Sequence, residues 1–89
     1  MSEVHIASCV AFVRPEAAAA VVRAIRASGL AEVPREDLER GRLVILIEAA
    51  SAARVLDAMD AIRALEGVLA VHLAYQHAEP ESEMQEPQE

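Results

Sequence analysis

Apolar residues fall along this chain in short blocks whose spacing switches between the period of a strand and that of a helix. Residues 4–13 are apolar on both alternating sets, interrupted by His5 and Ser8, which predicts a strand in the middle of a sheet. Pro15 suits the first turn of a helix, where its missing N–H costs nothing, and Glu16 suits the positive end of the dipole. Ala18, Val21, Val22 and Ile25 then recur at helical spacing, with Arg23 and Arg26 outside. That predicts a helix over about residues 15–28, ended by Gly29 in the left-handed conformation.

Leu30-Ala31-Glu32-Val33 predicts a short strand, confined to a sheet edge by Pro34, which has no N–H for a central ladder. Glu39-Arg40-Gly41-Arg42 supplies a turn. Residues 43–48, Leu-Val-Ile-Leu-Ile-Glu, form the most apolar strand and predict a second central position. Ser51 is placed to cap a helix over residues 52–65. Its apolar stripe is Val55, Leu56, Met59, Ile62 and Leu65, with Arg54, Asp57, Asp60 and Arg63 outward. Gly67 breaks that helix, and a last strand follows to His77. On it Leu69, Val71, Leu73 and Tyr75 alternate with Val68, Ala70, His72 and Ala74.

Strand, helix, strand, strand, helix, strand predicts an α+β fold of ferredoxin-like βαββαβ order. It comprises a four-stranded antiparallel sheet with two helices on one face. The other face is then open. Ser8, Glu48 and His72, the polar residues inside strands, can all lie on one side. That side is expected to be the open one, carrying Ile6, Ser8, Val10, Phe12, Val44, Leu46, Glu48, Val68, Ala70, His72 and Ala74. Ala7, Cys9, Leu43, Ile45, Ile47, Leu69, Val71 and Leu73 are expected against the helices. An exposed apolar face of this size marks an interface. A weak homodimer through the sheets and a separate ligand are equal readings of it on physical grounds.

Composition narrows the picture. Eighty-nine residues make one domain. With 54% hydrophobic residues but one Phe, one Tyr and no Trp, the core is aliphatic. The domain is expected over residues 1–77. Residues 78–89, rich in Glu, Pro and Gln, are expected to be a disordered acidic tail. Net charge is −7, of which the five glutamates of that tail carry most, leaving ten acidic and eight basic residues in the domain. No clustered basic face suits nucleic acid. No apolar run is long enough to span a bilayer, and Met1-Ser2-Glu3 does not begin a signal peptide, so neither stable membrane association nor export is expected. A single cysteine fits a reducing cytoplasm.

Catalytic and metal chemistry find little support. Cys9 with His5, His72 and His77 lacks the spacing of a metal site. Ser8, His72 and Glu48 lack any Gly-rich loop to form an oxyanion hole. The chain is therefore expected to be neither an enzyme nor the holder of a cofactor or metal.

Glu66-Gly67-Val68-Leu69-Ala70-Val71, with Leu73 and Tyr75, resembles the closing strand of the NapD family. Ser8-Cys9-Val10 and residues 43–48 fit the same family, and the likeness spans residues 4–77. It implies a cytoplasmic chaperone that binds the twin-arginine signal peptide of the periplasmic nitrate reductase catalytic subunit. In that role it would hold the precursor while its molybdenum cofactor is inserted and prevent premature export, a proofreading of the twin-arginine route. Such a signal has a basic start and an apolar, helix-forming stretch, to which an acidic domain with an open apolar sheet is complementary. His72 departs from the small polar residue expected there. The alternative is a small-molecule regulatory domain of the same topology acting as a homodimer. Its Gly-rich loop after the first strand is replaced here by Val13-Arg14-Pro15.

Overall fold

The computed structural model describes residues 3–80 of the chain. Strand β1 (Glu3–Val13) leads through a 3-10 turn at Pro15–Ala17 into helix α1 (Ala18–Ser28). Strands β2 (Glu32–Asp37) and β3 (Arg42–Ala49), helix α2 (Ala52–Arg63) and strand β4 (Val68–Pro80) follow. The sheet order is β2-β3-β1-β4 with every pair antiparallel, so β1 and β3 are the central strands, as their doubly apolar patterns require.

The helices cover one face. Ala7, Cys9, Ala11 and Val13 of β1 and Leu43, Ile45 and Ile47 of β3 are buried there. They pack with Val21, Val22 and Ile25 of α1 and Val55, Met59 and Ile62 of α2. No polar or charged residue is buried among the described residues, so the core is built of apolar side chains. Cys9 is fully buried in this cluster, and burial pushes its thiol pKa up.

Local signals act as expected at the helix ends. Gly29 closes α1 with φ +73°, and the Ser51 hydroxyl accepts a hydrogen bond from the Arg54 N–H at 3.2 Å. Two further glycines tie the end of β1 to its neighbours. The Val13 N–H donates to the Gly41 carbonyl and the Arg14 N–H to the Gly67 carbonyl, each at 2.8 Å. A side chain at Gly41 would put its Cβ 2.0 Å from the Val13 carbonyl oxygen, which forbids one.

Four local expectations are corrected. The second strand begins at Glu32 and runs through Pro34 to Asp37, tolerated because β2 is an edge and its register breaks between Glu32 and Arg35. Helix α2 ends at Arg63, and Leu65 packs on the core from the turn beyond it. Leu56 is exposed and Ala58 takes its place on the buried side, because Val55, Ala58, Met59 and Ile62 fall at i, i+3, i+4 and i+7 on one helix face. The last strand continues past His77 to Pro80, pairing Ala78 with His5 and Glu79 with Val4. The rest of the acidic segment, residues 81–89, lies outside the described residues.

Candidate functional site

The uncovered face of the sheet can be built row by row from the registers, since residues directly opposite share a face. Phe12 of β1 lies between Arg42 of β3 and Ala70 of β4, with Asp37 of β2 beyond Arg42. Val10 lies between Val44 and His72, with Arg35 beyond Val44. Ser8 lies between Leu46 and Tyr75, with Glu32 beyond Leu46. Ile6 lies between Glu48 and His77, and Val4 faces Glu79.

This arrangement unites Ile6, Ser8, Val10, Phe12, Val44, Leu46, Glu48, Ala70 and His72 on one side. All but Glu48 and His72 are half-buried, with no helix of the described residues above them. Val68 does not join them. It pairs with the buried Val13 and packs against the core, because the β1–β4 register shifts between Phe12 and Val13. At that shift Leu69 is turned out to 66% exposure instead of facing the helices. Leu73, opposite the buried Cys9, is 44% exposed, since β4 is an edge strand whose covered part is around Val68 and Val71.

A second shift, between Ser8 and Cys9, exchanges Ala74 for Tyr75. Tyr75 therefore lies opposite Ser8, and His77 and Glu79 follow on the same face. A strictly alternating reading puts Tyr75 and His77 on the wrong side and stops short of Glu79. Two bulges in one strand leave no mark in a pattern that is apolar on both faces.

Aromatic and polar groups line the β4 side. The Phe12 and His72 rings meet edge to face with centroids 5.7 Å apart, and Tyr75 and His77 lie 5.1 Å apart. The Arg42 guanidinium sits 5.8 Å from the Phe12 ring centre. His77 Nε2 is 3.1 Å from a Glu79 oxygen. A hollow of about 280 Å³ opens toward β2, lined by Val10, Val44, Arg35, Asp37 and Arg42 among others.

The arrangement offers an apolar floor with a charged rim, not a reaction centre. No group of three or more metal-ligating side chains comes together among the described residues. Ser8 and His72 sit in different rows, Ser8 opposite Tyr75 and His72 opposite Val10, so no nucleophile–base pair forms.

Both sheet edges discourage an added strand. Edge β2 carries Pro34 and a broken register. Edge β4 carries two bulges, and Arg63 donates to its Val71 carbonyl at 3.2 Å.

A family model described as NapD protein matches residues 4–80. Among solved structures, the chain is similar to the solution structure of the E. coli Tat proofreading chaperone protein NapD. That likeness has a TM-score of 0.76 and 27% identity, and covers 97% of this chain and 90% of the other. No curated protein matches the chain significantly.

Proposed function

The chain belongs to the NapD family of chaperones, and from that premise we propose that its open sheet face binds the twin-arginine signal peptide of a nitrate reductase catalytic subunit. It is a chaperone and not an enzyme. In this reading the chaperone holds the precursor in the cytoplasm during molybdenum cofactor insertion and withholds it from export until loading is complete.

One observation carries the reading. Ile6, Val10, Phe12, Val44 and Leu46 form an apolar floor across the two central strands, with no element of the described residues above it. An apolar leader stretch buried there gains about 25 cal/mol per Å² covered. The interrupted edges support a leader that keeps its own backbone hydrogen bonds as a helix across the face, rather than one added as a strand. No helix of the described residues is long and apolar enough to cross a membrane.

Calorimetric titration with a synthetic leader tests this. Saturable binding is expected, lost when Val10 is replaced by Glu on a domain whose circular dichroism is unchanged. Equal affinity for that variant would rule the face out.

A further inference from the structure

The open face is charged differently at its two ends. At one end Glu32 lies opposite Leu46, Glu48 opposite Ile6 and Glu79 opposite Val4, with no arginine in these rows. Glu32 and Glu48 take part in no ion pair among the described residues, and Glu79 meets only His77. At the other end Arg42 lies opposite Phe12 and Arg35 opposite Val44, again without an ion-pair partner among the described residues. The one acid in those rows, Asp37, is 3.9 Å from Arg40.

Resting on the leader-binding reading of this face, we propose that the leader is bound in a single direction. Its basic start lies over Glu32, Glu48 and Glu79, and its apolar stretch runs along β1 toward Phe12 and Arg42.

Two electrostatic effects have the same sign. Leader arginines meet the unpaired carboxylates of Glu32 and Glu48, and Glu79 beside His77, in this direction, and the unpaired guanidiniums of Arg35 and Arg42 in the reverse one. A helical leader also carries a positive N-terminus and a negative C-terminus, which fall on the acidic and basic ends respectively. The lengths match. Arg42 and Glu48 are six residues apart on β3, about 20 Å along the strand, which a helix of about thirteen residues spans. The apolar floor lies between the two ends.

The test places a nitroxide on the leader through a single cysteine, either ahead of its arginines or after its apolar stretch. Each peptide is titrated into isotope-labelled full-length protein and followed by amide resonances. The forward label is expected to broaden Ile6, Glu48 and His77 at least several-fold more than Phe12 and Arg42, and the trailing label to do the reverse. The opposite assignment, or equal broadening of both ends from either label, overturns the direction while the saturable shifts on the face uphold the binding reading. If neither peptide produces saturable shifts on the face, the binding reading fails and the direction with it.

Discussion

Ser8 and Tyr75 face each other across the β1–β4 ladder, although the next pair is Cys9 with Leu73, so Ala74 is passed over. This single irregularity moves the only tyrosine, and His77 and Glu79 after it, onto the uncovered face. Glu79 thereby comes to border the apolar floor, opposite Val4.

The two sides of β3 predict opposite outcomes for neighbouring residues. Leu46→Glu is expected to stay folded and lose leader binding, because Leu46 lies on the uncovered face. Ile45→Glu is expected to unfold the domain, since Ile45 is 0% exposed and an unpaired buried charge costs several kcal/mol. Circular dichroism with calorimetry separates the two. Exchanged outcomes would mean the faces are reversed.

Gly41→Ala should be far more damaging than Gly29→Ala. Both glycines have positive φ, so each substitution meets backbone strain of about 1–2 kcal/mol. At Gly29 an added Cβ meets nothing within 4 Å, whereas at Gly41 it collides with the Val13 backbone. Urea unfolding is expected to show about 1 kcal/mol lost at Gly29 and about 3 kcal/mol or more at Gly41. Comparable losses would count against the tight β1–β3 corner.

Truncation should be sensitive to three residues. Ending the chain after Pro80 is expected to leave the melting temperature unchanged. Ending it after His77 removes the pairs Ala78 with His5, Glu79 with Val4 and Pro80 with Glu3. That loss is expected to cost about 1 kcal/mol, or about 4–8 °C in a domain of this size. Equal melting temperatures for the two truncations would show that the end of β4 contributes nothing.

Apolar burial, not charge, should set leader affinity. Raising salt from about 50 to about 500 mM is expected to weaken binding only a few-fold, because screening reaches exposed pairs alone. Replacing two leader leucines by alanine should cost more than replacing both arginines by lysine, which keeps the charge and loses only the two-pronged hydrogen bond. A titration in which the lysine leader proves the weaker would point to a carboxylate clamp, with Glu48 the first residue to substitute.

Much of this molecule was legible in its amino-acid order. The apolar runs of β1 and β3 predicted central strands. Pro34 predicted an edge, and Gly29 and Ser51 marked helix ends. These are local properties, since backbone freedom, a missing N–H and side-chain period act within a few residues. Even the face of β1 and β3 followed from Ser8 and Glu48, because polar residues in the middle of apolar strands prefer water.

Strand β4 was different. Its face assignments for Val68, Leu69 and Tyr75 depended on two register shifts, and its length depended on pairing with the first residues of β1. Neither leaves a local trace. A bulge costs one unpaired residue and is settled by how the whole ladder fits its neighbour. Ala78 and Glu79 have weak strand preference and became strand because Val4 and His5 stand opposite them. The polarity of the face likewise exists only after folding. Arg35 and Arg42 are seven residues apart in the chain, and Glu32, Glu48 and Glu79 are scattered across three elements. The tertiary structure alone gathers them to opposite ends, because antiparallel pairing brings the beginning of one strand beside the end of the next.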